Sequence, residues 1–221
     1  MSTIKFPWKI YIISVKECGE RRQFVENQKR KLESYGFSVE IIDAIYWQSI
    51  DVVQKIYDLG IDIAHHLSQT QIACFLSHRI VWQKIVDHKE EYTIVLEDDI
   101  DLTHFDHFLQ IEKELSTLNS YDGVIFWKHP EKVRIDTEKI TENIIKAYEQ
   151  WGTCAYHLSP TICEELLRIS NLTKPIDNYL YNDIFPKYNN IFMTEPDPFK
   201  NIGFIENHEI YGYTFKSLIM G

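Results

Sequence analysis

Short apolar runs alternate with longer amphipathic segments through the first part of the chain. The run KIYIISV (9–15) has the composition of a buried strand, and a charged segment of helical length follows from about Arg21 to Tyr35. Gly36 is placed to end that helix, and FSVEII (37–42) predicts the next strand. A strand, a helix and a second strand at this spacing indicate a βαβ unit, so we expect a parallel sheet.

The clearest helical pattern lies in SQTQIACFLSHRIVWQKIVDH (68–88), where Ser68 is placed to cap the N-terminus. The apolar residues that recur with the period of one helix face are Ile72, Phe75, Leu76, Ile80, Trp82 and Val86. The run YTIVL (92–96) comes next and predicts a second buried strand.

The remaining elements are predicted more briefly. They are a possible helix over SIDVVQKIYDLG (49–60), a helix near 106–118, strands at GVIFW (123–127) and CAYHLS (154–159), a helix at PTICEELLRIS (160–170) capped by Ser159, and a short helix within IDNYLYNDIF (176–185). The charged segment 128–143 predicts a surface loop or a hairpin, and the end of the chain predicts short strands and turns.

Three acidic residues, Glu97, Asp98 and Asp99, stand directly after the run YTIVL. Like charges this close cost free energy unless a cation lies among them. In extended backbone, Glu97 and Asp99 point the same way and Asp98 points to the opposite side. Carboxylate oxygens favour hard cations such as Mg²⁺ or Mn²⁺, and ligands bind at the carboxyl ends of strands in open α/β sheets. The cluster is therefore a candidate metal site, with a solvated acidic turn as the alternative.

Composition limits the function classes. Apolar residues make up 44% of the 221 residues and charged residues 25%, which is typical of a globular protein. The net charge of -10 argues against nucleic-acid binding. The four cysteines form no C-x-x-C pair, so we expect free thiols in a reducing compartment. No run is long enough to span a membrane. We expect a cytoplasmic protein of one domain over residues 1–221, because no repeat or linker divides the chain.

Several common catalytic signatures do not occur in the chain. The patterns G-x-x-x-x-G-K-[ST], G-x-G-x-x-G, H-E-x-x-H and G-x-S-x-G do not match anywhere. A βαβ start without a phosphate-binding glycine loop needs another way to hold an anion. A divalent cation that bridges a diphosphate is one solution, and it is typical of glycosyltransferases that use nucleotide sugars.

Five segments, in their order along the chain, resemble glycosyltransferase family 25, the lipopolysaccharide and lipooligosaccharide type of transferase. They are YIISVKECGERRQFVENQ with LESYGFSVEIIDAI (11–45), ACFLSHRIVWQKIV (73–86), YTIVLEDDI (92–100), GTCAYHLS (152–159) and PIDNYL (175–180). The chain departs from the family at Thr70-Gln71, where Gly-Glu is usual, and at Ala73, where Gly is usual. The resemblance is weakest over 195–221.

The resemblance implies a single-domain GT-A-type, Rossmann-like α/β fold with a mostly parallel central sheet. Residues 1–100 would mainly bind the nucleotide sugar, and residues 101–221 would mainly bind the acceptor. The E-D-D segment would act as the D-x-D element of such folds. Asp99 would be the main ligand of Mn²⁺ or Mg²⁺, and Glu97 would contact the metal or the donor ribose. His208 would be a third ligand, unless it is a surface histidine.

Other residues acquire roles from the same resemblance. Donor-binding candidates are Arg21, Arg22, Ser77, His78 and Asp98, each with a structural alternative: a solvated helix face for an arginine, a buried hydrogen bond for Ser77 and His78, and a supporting or capping role for Asp98. Candidates for the wall of the acceptor or donor pocket are Gly152, Thr153 and Tyr156. Trp82 and Cys154 are expected in the core.

The family is held to invert the anomeric configuration, which needs a carboxylate base on the acceptor hydroxyl. Asp177 is the first candidate for this base and Asp183 the second, while a helix-capping aspartate is the alternative. The expected donor is a UDP-hexose, with UDP-galactose first. The expected acceptor is a terminal sugar of a lipooligosaccharide, reached by peripheral contact with the inner face of the cytoplasmic membrane. Two rival classes remain, a metal-dependent phosphoesterase and a non-catalytic relative that binds glycans or nucleotide sugars.

Overall fold

The computed structural model describes residues 7–132, 134, 136–202, 209–210 and 213–214. Its strands are β1 (Lys9–Ser14), β2 (Ser38–Asp43), β3 (Asp62–Ile63), β4 (Thr93–Glu97), β5 (Ile100–Asp101), β6 (Gly123–Ile125), β7 (Ile144–Lys146), β8 (Ala155–Leu158), β9 (Asn171–Leu172), β10 (Ile191–Thr194), β11 (Lys200–Asn201), β12 (Glu209–Ile210) and β13 (Tyr213–Thr214). Its α-helices are α1 (Gly19–Ser34), α2 (Val52–Asp58), α3 (Gln69–His88), α4 (Phe105–Leu115), α5 (Pro160–Leu167) and α6 (Ile176–Tyr179). A π-helical turn, Leu180–Ile184, continues α6, and short 3₁₀ turns lie at Pro130–Lys132 and Phe185–Lys187.

Seven strands form the central sheet in the order β2-β1-β4-β8-β6-β10-β7. Strands β2, β1, β4, β6 and β10 run in one direction, and β8 and β7 run in the other. The chain therefore has an α/β, Rossmann-like fold with a mostly parallel central sheet, as predicted. The parallel start that the first strand, helix and strand indicated is confirmed, because β1 pairs in parallel with both β2 and β4.

The apolar run of β1 is continuous because both faces of the sheet are covered. Ile10 and Ile12 pack into one core, with α1 and α4. Tyr11 and Ile13 pack into the other core, with α2, α3, α5 and α6. The side chains of successive strand residues point to opposite faces, so a single strand contributes to both layers. The result is a helix layer, a sheet and a second helix layer.

Helix α3 begins as predicted, because Ser68 and Gln71 form a reciprocal capping box with the backbone. The prediction of its buried face was only partly right, since Ile80 and Val86 are half-buried. Ala73, Val81 and Ile85 are buried instead. The helix packs against α2 and α5 as well as the sheet, so its enclosed surface is wider than one stripe.

Two features of the sheet were not predicted. The segment CAYHLS forms β8, but β8 runs antiparallel to both of its neighbours. Strand β7 at the sheet edge has only three residues, which is too short to leave a periodic pattern.

The charged segment 128–143 contains the 3₁₀ turn Pro130–Lys132 and a bridge from Lys139 to Ile145. Within the described part of the chain, no helix is long and apolar enough to cross a membrane.

The strand order fixes where a ligand can enter. The chain passes from β1 to β2 on one side, then returns to place β4 on the other side of β1. A crevice forms at the carboxyl ends of two parallel strands whose connections leave in opposite directions. Here those ends are Val15, directly after β1, and Glu97, the last residue of β4. The acidic cluster therefore lies at the topological switch point of the sheet.

Candidate active site

The acidic cluster occupies the end of β4 and the tight turn that leads into β5. Asp98 and Asp99 are buried, and the side chain of Glu97 is 18% exposed. Asp98 faces Arg21 of α1, while ligand atoms of Glu97 and Asp99 lie within 4.8 Å of each other. The three carboxylates consequently have different partners.

Asp98 is neutralised by Arg21 of α1. The guanidinium Nη1 lies 2.6 Å from Asp98 Oδ1, and the backbone N–H of Val15 donates to Oδ2 at 3.3 Å. Burial alone would lower the pKa of Arg21, but the attraction of Asp98 and Asp99 outweighs it, and the pKa is raised. Arg21 and Asp98 therefore tie α1 and the end of β1 to the acidic turn.

Glu97 is held by two side chains that the sequence assigned to ligand contact. His78 Nε2 lies 3.3 Å from Glu97 Oε1, and the Thr153 hydroxyl donates to the same oxygen at 2.8 Å. Burial would raise the pKa of Glu97, but the hydrogen bonds from His78 and Thr153 outweigh burial, so the pKa is lowered. Glu97 is thus an oriented carboxylate.

A buried chain of hydrogen bonds fixes the ring of His78. The Trp82 Nε1–H donates to the Tyr156 hydroxyl at 3.0 Å, and that hydroxyl lies 2.8 Å from His78 Nδ1. Because indole can only donate, the Tyr156 proton is directed at Nδ1, which leaves the proton of His78 on Nε2, facing Glu97. Trp82 is buried in the core, as predicted, and it also sets the orientation of Glu97 through two intermediates.

Asp99 is the carboxylate whose charge is least compensated. Asn201 of β11 donates from Nδ2 to Asp99 Oδ1 at 3.1 Å. Burial, followed by the charges of Glu97 and Asp98, raises the pKa of Asp99 to about 7. A cation beside Asp99 would relieve this repulsion.

The residues present fit a hard divalent cation. Ligand atoms of Glu97, Asp99 and Cys154 lie within 4.8 Å of one another, and Cys74, His78 and Glu97 form a second such group. Burial, followed by the charge of Glu97, raises the pKa values of both thiols. They remain protonated, and protonated thiols are poor metal ligands. Glu97 and Asp99 are therefore the candidate metal ligands, and their oxygen atoms would suit Mg²⁺ or Mn²⁺.

One pocket lies at the switch point, beside the acids. Its walls include Arg21 and Asp98, the aromatic residues Tyr46 and Trp47, and Ser77. The Ser77 hydroxyl accepts from the Ile45 backbone N–H at 2.9 Å and so fixes the segment that carries both aromatic rings. We refer to this space as the switch-point pocket. It encloses about 110 Å³, which is smaller than a nucleotide sugar, so it can take only part of one.

A second cavity of about 340 Å³ lies on the other side of Glu97 and Cys74, which line both spaces. We call it the Trp151 pocket, because Trp151 and Asp177 form part of its wall. Glu97 and Asp177 both line this pocket together with Cys74. The two pockets therefore meet at Glu97, one of the two candidate metal ligands, while Asp99 lines the switch-point pocket.

Gly152 shapes the Trp151 pocket through its backbone. Its φ of +81° favours glycine, and an added Cβ would lie 3.0 Å from the ring of Trp127. The Gly152 N–H donates to Asp177 Oδ2 at 3.0 Å, and the Asn178 N–H donates to Oδ1 at 2.8 Å. Both oxygens of Asp177 are therefore held in place at the pocket wall.

Three of the residues assigned to the site from the sequence do not line either pocket, and a fourth lies outside the residues that the structure describes. Arg22 does not line the switch-point pocket, because it follows Arg21 by about 100° around the helix and pairs with Asp43 at 2.7 Å. Asp183 pairs with Lys174 at 2.6 Å, away from the Trp151 pocket. Tyr156 is 1% exposed and lies behind the pocket walls rather than on them. His208 lies outside the described residues.

The sequence analysis missed other residues at the site. Asn201 and Trp151 reach it only through the tertiary fold, and no local pattern marked them. Cys74, Tyr46 and Trp47 lie near segments that the sequence did single out, but their spacing carried no signal. Gln71, the departure at the start of α3, caps that helix through its side-chain oxygen, which a glutamate could also do.

Comparisons with known proteins point to one family. The sequence model of glycosyltransferase family 25 (LPS biosynthesis protein) matches residues 8–180. The chain is 27% identical, over 77% of its length, to a glycosyltransferase 25 family member of Anopheles gambiae. It is 26% identical over 88% to one of Drosophila melanogaster, and 26% identical over 78% to procollagen galactosyltransferase 2 of Homo sapiens. It covers 31%, 33% and 29% of those proteins, so it spans about a third of their length.

In metal-free protein, Asp99→Asn should raise the free energy of unfolding, increasingly from pH 5 to 7 and then without further change. The native pKa of about 7 lies above the ordinary aspartate pKa of 3.8, which holds in the unfolded chain. The unfolded chain therefore ionises first, and the contribution of Asp99 to stability falls as pH rises through this window. Urea unfolding at pH 5, 6, 7 and 8 measures the effect, with the exposed Asp136→Asn as control. A gain that does not depend on pH would contradict the role given to Asp99.

Arg21→Met should lower the free energy of unfolding by about 3–5 kcal/mol, because it leaves the buried Asp98 carboxylate without its cation. A second change, Asp98→Asn, should recover most of that loss, since the amide oxygen can still accept from Val15. Arg22→Met is the matched control and should cost less than about 1 kcal/mol, as its ion pair is exposed. Equal losses for the two arginines would show that the buried pair has no special role.

Proposed function

Because this chain belongs to glycosyltransferase family 25, we propose that it transfers a hexose from a UDP-sugar to a saccharide acceptor with the help of a divalent cation. The observation that carries the proposal is the position of Glu97, which lines both pockets at the switch point of the sheet, with Asp99 beside it in the wall of the first. A donor diphosphate on one side and an acceptor on the other would meet at the same ligands.

The donor is assigned to the switch-point pocket. Arg21 provides a cation in its wall, and Tyr46 and Trp47 provide aromatic faces for a uracil ring. Galactose is the first choice of sugar, supported by the name of the human relative, a procollagen galactosyltransferase. The residues that line this pocket all fall between Ile13 and Asp99. This supports the expectation that residues 1–100 mainly bind the donor.

The acceptor is assigned to the Trp151 pocket, and Asp177 is the proposed base. When bound, a cation at Glu97 and Asp99, Mn²⁺ first and Mg²⁺ second, would neutralise the diphosphate leaving group. Asp177 takes the proton of the acceptor hydroxyl, whose oxygen bonds to the anomeric carbon. The bond from that carbon to the phosphate oxygen breaks on the opposite face, and UDP leaves with its electron pair. The product therefore has inverted configuration.

The acceptor class rests on the family description, which names lipopolysaccharide biosynthesis. We propose a terminal sugar of a lipooligosaccharide, approached at the inner face of the cytoplasmic membrane. The relatives named above come from animals, and the name of the human one gives procollagen as its substrate. An acceptor panel should therefore contain both saccharides and collagen-type peptides.

Nucleotide sugars should stabilise the protein only together with a divalent cation. UDP-galactose, UDP-glucose and UDP-N-acetylglucosamine are compared by thermal shift, each with Mn²⁺ and with a chelator. Ligand at about 100 times its Kd should add about 2.7 kcal/mol to the free energy of unfolding. Asp99→Asn should keep the fold, by circular dichroism, and lose both the metal-dependent shift and the transfer activity. No shift with any donor, or wild-type turnover by Asp99→Asn, would refute the proposal.

Asp177→Asn should lower kcat by about 10²–10⁴, because a general base contributes rate of this size. The donor KM should not change, since Asp177 does not line the switch-point pocket. The amide oxygen of the variant can accept from the Gly152 N–H, but the Asn178 N–H then loses its acceptor, so circular dichroism has to show that the variant keeps the fold. Asp183→Asn is the control and should retain its kcat. If the two variants behaved alike, another group would have to be the base.

A further inference from the structure

Trp151 is an exposed tryptophan at the rim of the Trp151 pocket. The residue is 40% exposed, whereas Trp8, Trp82 and Trp127 are buried. Large aromatic surface in contact with water at a pocket is unfavourable unless a ligand covers it. We propose that the indole ring of Trp151 is the platform on which the apolar face of the acceptor sugar stacks, a proposal that rests on the function given above.

The ring is held rigidly by its neighbours in the chain. Gln150 is 1% exposed, its Oε1 accepts from the His129 N–H at 3.0 Å, and its Nε2 donates to the Lys132 carbonyl at 3.0 Å. On the other side of Trp151, the Gly152 N–H is bound to Asp177. A platform fixed at both flanking residues loses little conformational freedom when a ligand binds.

Side chains of the 3₁₀ turn Pro130–Lys132 and of the residue before it support the ring. The imidazole of His129 packs edge-to-face against it, with centroids 5.1 Å apart. The ammonium of Lys132 lies 4.3 Å from the ring centroid. These contacts fix the tilt of the indole, while the ring still forms part of the pocket wall.

The chemistry of the Trp151 pocket suits a neutral, hydroxyl-rich ligand. Its lining combines the indole with the apolar Pro175 and Ile176 and with polar groups of Thr70 and Asn178. Of the residues that line it within the described ranges, two are carboxylates and none is a lysine or an arginine. A nucleoside diphosphate is disfavoured there by charge repulsion, whereas carboxylates and amides accept hydrogen bonds from sugar hydroxyls. The volume of about 340 Å³ falls in the range of small-ligand pockets, roughly 300–1,000 Å³.

The first test is binding, which does not require turnover. The indole N–H signals of the five tryptophans are recorded by ¹⁵N NMR, and the Trp151 signal is identified by its loss in Trp151→Phe. Methyl β-D-galactoside, methyl β-D-glucoside and the methyl glycoside of N-acetylglucosamine are titrated up to their solubility. At least one should shift the Trp151 signal, and the galactoside signals should lose intensity by saturation transfer less in Trp151→Ala. No shift with any glycoside, or a shift only with a collagen-type peptide, overturns the proposal.

The second test is kinetic and separates this inference from the proposed function. With the glycoside that binds, Trp151→Ala should raise the acceptor KM about tenfold or more, and Trp151→Phe should raise it less. The donor KM and the metal-dependent thermal shift should stay within about twofold of wild type. Tyr57→Ala removes a similarly exposed aromatic residue on α2 and should change none of these values.

If wild type transfers sugar and Trp151→Ala keeps its acceptor KM, the platform is refuted while the function stands. If wild type neither binds donor nor transfers, the function fails, and the NMR titration alone decides the platform.

Discussion

Three carboxylates, Glu97, Asp98 and Asp99, converge at the end of β4 with one arginine among them, and the rest of the site is arranged around this imbalance of charge. Arg21 neutralises Asp98 at 2.6 Å, so α1 has to pack against the acidic turn. The remaining repulsion falls on Asp99, whose pKa rises to about 7. Such a cluster is costly in free protein and favourable when a cation binds, which is the thermodynamic requirement for a metal-dependent site.

The antiparallel strand β8 brings the Trp151 pocket to the switch-point pocket. Because β8 runs against β4, the residues that precede β8 lie beside the carboxyl end of β4: the Glu97 N–H donates to the Cys154 carbonyl at 2.9 Å. Thr153 then reaches Glu97, and Gly152 reaches Asp177. A parallel strand at this place would have put the same residues at the opposite end of the sheet.

Much of the fold could be predicted because its signals are local. Buried strands such as β1 and β4 are continuous apolar runs, and α3 has a capping box at its start. Arg21 and Arg22 could not be separated from sequence, because which of two adjacent helix residues faces the sheet depends on how the helix is rotated against it. His78 and Tyr156 were recognised from a motif, but their hydrogen bonds to Glu97 and to each other were not.

The sequence by itself determined the membership of glycosyltransferase family 25, the α/β class and the place of the acids at a strand end, since each follows from the order of residues within a short segment. The tertiary structure decided which distant segments meet there: Asn201 at Asp99, Asp177 at Gly152, and Trp151 at the rim of the second pocket. Those contacts join residues that lie 25 to more than 100 positions apart. They depend on strand order and direction, which the packing of both helix layers against one sheet selects and no local pattern encodes.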